Sequence, residues 1–322
     1  MKPKSINSLM AYMRDQKNIQ IKGSVQKQKL RNMGYFHGYK GYRFYGTPNN
    51  LFQYTDFDEI QAVYDFDMNV KTIVYPQIMF AETALKNYAL EVLIDQSGSE
   101  YFADVYSKVL DDYKIYSVGS RDYKRAVTKR LNLRNKVYSE IARNYDKNFI
   151  VNHYYDKDEK VPIWAIFEMI TLGEFGNLLQ CANINARKDI STLLKLNAAD
   201  DADGKLTEYF VFLIKDLRNS VAHNNIVFDT RFKGHSISNR IKNYLEKETG
   251  ITGISFDTIV DYIVLLAYIL KHCGKSKTEL RAFIRQFEQT YEKLRASVPV
   301  TIYSKIIHTD TRSKLKKLKE FI

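Results

Sequence analysis

Phe210, Leu213, Ile214, Leu217 and Val221 recur at intervals of three and four residues, a spacing that suits one buried face of an α-helix. The pattern runs into Leu217-Arg218-Asn219-Ser220-Val221-Ala222-His223-Asn224-Asn225, where two asparagines stop it. An arginine, an amide and a histidine are therefore expected on the last turn of a core helix, held by a rigid element. Asn219 and His223 are i and i+4 and share a face. Arg218 and His223 lie about 140° apart around an ideal helix. They converge only if the arginine swings round, if the helix unwinds near His223, or if a second subunit supplies one partner.

These residue types suit phosphodiester chemistry. A guanidinium clamps a phosphate with its planar fork. An imidazole moves a proton near neutral pH, and Asn219 can orient it or donate to a phosphate oxygen. An arginine followed within a few residues by a histidine is weak evidence alone, and the chain holds a second instance, Arg31-Asn32-Met33-Gly34-Tyr35-Phe36-His37. That one sits among Gly34, Gly38 and Gly41, so no continuous helix is expected to support it. The bland reading of the 218–223 group is a helix-end histidine capping carbonyls beside a surface arginine.

Only five prolines and fourteen glycines in 322 residues, with 45% hydrophobic residues, point to a mostly helical globular protein. The longest apolar run, 259–270, is interrupted by Asp261 and is too short for a bilayer, so it reads as a central buried helix. No apolar leader is evident, and no membrane partner is expected. Cys181 and Cys273 are isolated and fit a reduced chain without disulfides. None of the six histidines falls at ligand spacing with another, and Asp200 to Gly204 reads as a turn without the register of a calcium loop. No metal and no cofactor are expected.

The 49 basic and 37 acidic residues give a net charge of +12, which favours an acidic partner, nucleic acid first. Arg121, Lys124, Arg125, Lys129, Arg130, Arg134 and Lys136 crowd one expected helix and are candidate RNA contacts, the first six foremost. Arg312, Lys314, Lys316, Lys317 and Lys319 form a basic tail that is a weaker candidate or a solvated helix. Between Gly34 and Gly46, Tyr35, Phe36, Tyr39, Tyr42, Phe44 and Tyr45 interleave with Lys40 and Arg43. Such a segment can stack bases; packing of the aromatics against a helical core is the favoured alternative.

The expected organisation is a small N-terminal module (1–55), a helical domain (56–296) and a basic C-terminal segment (297–322). Helix is expected from Asp56 to about Ile94, with Pro76 as a kink or a break. The basic helix spans about Ser120 to Tyr145, 148–158 reads as a loop holding His153, and Pro162 opens a helix carrying Trp164 and Glu168. Glu168 and His153 are candidate supporting residues. Phe228 to Ser238 reads as a loop, and Phe256 to Leu270 and Thr278 to Leu294 as two long helices.

The Arg218 to His223 stretch resembles the Arg-Asn-x-x-x-His signature of the HEPN superfamily of RNA-cleaving helical domains. The wider chain resembles the Abi-like abortive infection family, of the AbiD and AbiF type. Tyr35-Phe36-His37-Gly38-Tyr39-Lys40-Gly41-Tyr42, Asp65-Phe66-Asp67, Glu82-Thr83-Ala84-Leu85-Lys86, His153-Tyr154-Tyr155, Trp164, Glu168 and Leu172-Gly173 carry that likeness in order over about residues 30 to 230. The chain departs from the family pattern at Lys86, where an arginine is usual, and at 224–229. The resemblance implies an all-α, HEPN-like bundle in a bacterial cytoplasm and a toxin-like, metal-independent endoribonuclease of phage defence. Arg218, Asn219 and His223 would be catalytic, in a homodimer that brings two motifs to one cleft. The alternative it implies is a catalytically silent RNA-binding scaffold regulated by a small RNA.

Overall fold

A computed structural model describes residues 5–234 and 236–322. Its elements begin with α1 (Ile6–Lys17), α2 (Gly23–Met33), α3 (Phe57–Ser97), α4 (Phe102–Lys108) and α5 (Arg121–Asn144). Short helices follow: α6 (Phe149–Tyr155), α7 (Ile163–Met169), α8 (Leu172–Cys181) and α9 (Ile184–Leu193). The motif-bearing α10 (Leu206–Ala222) precedes α11 (Asn239–Thr249), α12 (Ile259–His272), α13 (Lys277–Ser297), α14 (Val300–Ile306) and α15 (Thr311–Phe321). No β-strand occurs among the described residues, only isolated bridges, so the expected all-α class holds.

The chain divides into two compact units. The first comprises Met1–Ile78, Asp216–Lys271 and Lys275–Ile322, the second Met79–Lys215 and His272–Gly274. Residues 1–55 and 297–322 both belong to the first unit. Residues 1–4 of the N-terminal segment and His235 of the 228–238 loop lie outside the described residues. Long-range hydrogen bonds tie the N-terminal segment to the 229–231 turn within this unit. Arg231 donates to the carbonyls of Gly41 (2.9 Å) and Phe44 (2.8 Å), and its guanidinium lies 4.1 Å from the Phe44 ring centroid. Asp229 accepts from the Gly46 amide at 2.7 Å.

At the centre of the first unit, every residue of α12 from Ile259 to Leu270 is buried. Asp261 is fully buried too, which explains how an acid interrupts the apolar run. Its carboxylate accepts from the Ser255 and Phe256 amides (3.0 and 2.8 Å) and from Lys314 Nζ (2.7 Å). The basic tail is thus not a solvated helix: α15 buries Lys314, Leu315 and Leu318. Burial alone would push the Lys314 ammonium down, but the hydrogen bond and charge of Asp261, aided by Asp310, hold it above the ordinary lysine range. Arg312 pairs with Glu292 and Lys319 with Glu288, and Lys317 donates to the Gly250 carbonyl. Lys314→Ala leaves a buried carboxylate without its cation, and is expected to lower the unfolding free energy by about 3 kcal/mol, read from urea denaturation. A loss below about 1 kcal/mol would show that the pair behaves as a surface bridge.

Pro76 lies inside α3, which runs unbroken through 41 residues. Val70, Val74, Ile78 and Ala81 continue the buried stripe past it while Pro76 itself is exposed. Solvent can satisfy the carbonyl the proline orphans, so neither a break nor an end results.

In the second unit, Arg187 is buried against Asp112 (2.8 Å) and donates to the carbonyls of Asp203 (3.0 Å) and Ala182. Gly176 of α8 meets Phe212 of α10 so closely that a Cβ would sit 2.8 Å from the ring. Lys86 donates to the Ile170 carbonyl at 2.9 Å and pairs with Glu82. That contact closes the end of α7. Residues 149–155, expected as loop, form α6, started by the Asn148 side chain accepting from the Ile150 amide.

Candidate functional site

The last turn of α10 is built as a Schellman motif. Asn224 takes the left-handed conformation (φ 53°). The Asn225 amide donates to the Ser220 carbonyl at 2.8 Å and the Asn224 amide to that of Val221 at 3.1 Å. His223 keeps an α-helical bond to the Asn219 carbonyl at 3.0 Å. The helix therefore does not unwind before His223, and Asn219 and His223 share one face, both exposed. Arg218 is half-buried beside them, with Nη1 3.5 Å from Asn219 Oδ1. Leu217 and Ser220 turn inward and seat this end of the helix.

Beneath this turn lies a network that the motif alone does not reveal. Asp67, 0% exposed, accepts through Oδ1 from the amides of Val227 and Phe228, both at 2.8 Å. Through Oδ2 it accepts from the Tyr42 hydroxyl (2.8 Å) and pairs with Lys71 Nζ (2.8 Å). Lys71, only 5% exposed, then donates to Asn224 Oδ1 at 2.9 Å. One buried carboxylate and one buried ammonium thus fix the residue that ends the helix and the strand of chain that leaves it. The Lys71 charge also sits at a helix C-terminus, where a cation is favoured. Burial, and then the Asp67 charge, push the Tyr42 hydroxyl far up, so it stays a donor. Asp67 and Lys71 stand at i and i+4 within an apolar stripe, and that spacing was the available signal.

The supporting candidates fall in the second unit. Glu168 is exposed, with no hydrogen bond or ion pair among the described residues. His153 is exposed on α6, its Nε2 3.2 Å from Lys157 Nζ and its ring beside Phe149 and Tyr154.

On α5, Arg121, Lys124, Arg125, Lys129, Arg134 and Lys136 are exposed. Arg130 is structural: it donates to the carbonyls of Leu110 (2.6 Å) and Tyr106 (2.7 Å), with its guanidinium 3.7 Å from the Tyr106 ring centroid. Arg125, Lys129 and Arg130 line a cavity of about 380 Å³ with Lys205, Gln180 and Glu208. Burial raises the Glu208 carboxyl against the opposing hydrogen bond from Gln180.

Cys181 and Cys273 are free, and burial pushes both thiols up to about 12. Among the described residues, no three His, Cys, Asp or Glu side chains cluster as metal ligands would, and no helix is long and apolar enough to cross a membrane.

Neither a curated protein nor a solved structure matches this chain. The sequence model of the Abi-like protein family matches residues 28–229, a span that holds Tyr42, Asp67, Lys71 and the whole 217–225 motif. With well over half of its length in that match, the chain belongs to the Abi-like abortive infection family.

Proposed function

We propose that this protein is a metal-independent endoribonuclease acting in abortive infection against phage. The observation that carries the reading is the exposed Asn219–His223 face, with Arg218 beside it, on a helix end pinned by Asp67 and Lys71. RNA supplies its own nucleophile, so no metal-bound hydroxide is needed. The 2′-oxygen attacks phosphorus as its proton leaves. The P–O5′ bond breaks and the 5′-oxygen takes up a proton. His223 serves one of these proton transfers. Arg218 stabilises the charge on the phosphorane-like transition state, and Asn219 aligns the imidazole. The products are a 2′,3′-cyclic phosphate and a 5′-hydroxyl.

One imidazole serves poorly as base and acid at once. A twofold homodimer would bring a second His223 to the same cleft, and a monomer that cuts at full rate would sink that part of the proposal. The test of the chemistry is cleavage of single-stranded RNA in EDTA with the product ends mapped. Cyclic phosphate ends support the reading. Tight binding without cutting, by wild type and His223→Ala alike, would favour an RNA-binding scaffold.

The exposed cations of α5 are proposed to bind the RNA backbone. Changing Arg121, Lys124 and Arg125 to serine is then expected to flatten the slope of log affinity against log salt by about 2. An unchanged slope would remove α5 from the RNA path.

A further inference from the structure

Of the six aromatics between residues 35 and 45, Tyr39 and Tyr42 are buried and Tyr35, Phe44 and Tyr45 half-buried, but Phe36 is 79% exposed. Phe36 stands at a hollow of about 340 Å³ lined also by His37, Asn225, Ile226 and Phe232. We propose that this hollow is a nucleobase subsite of the RNA site, in which Phe36 stacks a base and Asn225 reads its edge, with adenine preferred.

Four observations support it. A protruding ring beside a hollow, rather than one packed down, offers a π face to a ligand, and bases use such faces. Lys40 Nζ lies 5.6 Å from the Phe36 centroid, a cation placed for the phosphate of a stacked nucleotide. Asn225 and His37 are exposed, and neither side chain makes a hydrogen bond or ion pair among the described residues. Arg231, at the same hollow, is by contrast committed to Asp229, Gly41 and Phe44. Finally, the Asn225 backbone closes the Schellman motif two residues after His223, so its amide is held in fixed relation to the candidate catalytic turn. An amide matches adenine with one donor and one acceptor at N7 and N6. Guanine presents two acceptors there and fits it less well.

The inference rests on the reading of this chain as an RNA-cutting protein, and the two can fail separately. The probe is single-stranded RNA carrying 2-aminopurine, a fluorescent purine that stacks as adenine does but lacks its N6 amino group, titrated into full-length His223→Ala protein so that no cutting intervenes. It reads stacking, and the preference for adenine over guanine is read by competition with unlabelled RNAs. Quenching on binding is expected. Phe36→Ala, its fold checked against the parent by circular dichroism, is expected to lose the quench and weaken binding about 5- to 150-fold. Asn225→Ala is expected to keep the quench and lose the preference for adenine. If Phe36→Ala binds and quenches as the parent does, the subsite is wrong, even where wild type cuts RNA. If Phe36→Ala changes only the oligomeric state, the hollow is an interface between copies and the proposal falls. A Phe36-dependent quench in a protein whose wild type never cuts leaves the subsite standing and removes the nuclease. Absence of RNA binding removes both.

Discussion

His223→Ala is expected to reduce RNA cleavage in EDTA by about 10²–10⁴-fold, the range that a positioned proton-transfer group supplies, with little change in stability. His223 is exposed and its side chain holds no part of the core, whereas its backbone bond to Asn219 survives the change. Arg218→Ala is expected to cost about 10²–10³-fold through lost stabilisation of transition-state charge, and Arg218→Lys to recover only part, because an ammonium cannot form the planar fork. Single-turnover rates read these losses apart from RNA binding. Binding should change little for His223→Ala. If that variant cuts as wild type does, the chemistry lies elsewhere. In a homodimer with two His223 residues in one cleft, mixing wild-type and His223→Ala subunits would give a mixed species with strongly reduced activity, whereas independent sites would leave half of it.

Asp67→Ala is expected to be among the most destabilising single changes in the first unit, by about 3–5 kcal/mol. It removes the acceptor of two buried amides and the Tyr42 hydroxyl, and leaves the Lys71 ammonium buried with Asn224. Asp67→Asn keeps one acceptor oxygen and should lose less. The double change Asp67→Asn with Lys71→Met should recover part of the loss, since replacing both members of a buried pair avoids stranding a charge. Urea denaturation measures all three. The same substitutions should also slow cleavage, because Val227, Phe228 and Asn224 no longer hold the chain that leaves His223. A displacement of about 1 Å in a reacting group is enough to cost about 10²-fold. A stable Asp67→Ala protein with unimpaired cleavage would show that the network beneath the turn is incidental.

Much of the helix inventory is readable from residue order because helix formation is local. α5 shows its N-cap at Ser120, whose side chain accepts from the Tyr123 amide, and α10 shows both its buried stripe and its asparagine stop. The expectation that no continuous helix supports Arg31 to His37 holds only in part: α2 gives way at Gly34 (φ 75°, ψ 147°) to a π-helix over Gly34–Lys40, so Arg31 stands on α2 and His37 on the π turn that follows it directly. Segments without a clean period were harder to read. α6 hides in a polar and aromatic stretch, and α9 and α11 gave no expected helix at all. Pro76 looked like punctuation because the solvent exposure that makes it tolerable is a property of the folded chain.

The sharing of one face by Asn219 and His223 at the end of α10, with Arg218 one residue before them, is written in the order of residues, since a spacing of four along a helix makes neighbours without any other contact. Which groups support that turn, and which side chains around it stay open to solvent, was decided by contacts between residues far apart in the chain. Asp67 reaches Tyr42 across 25 positions and Phe228 across 161. Lys314 reaches Asp261 across 53 and so leaves the basic surface that its sequence context suggested. Phe36 stays out while Tyr39 and Tyr42, three and six positions on, go in. A buried charge is tolerable only where the fold brings it a partner, and no local pattern in the sequence records where that partner comes from.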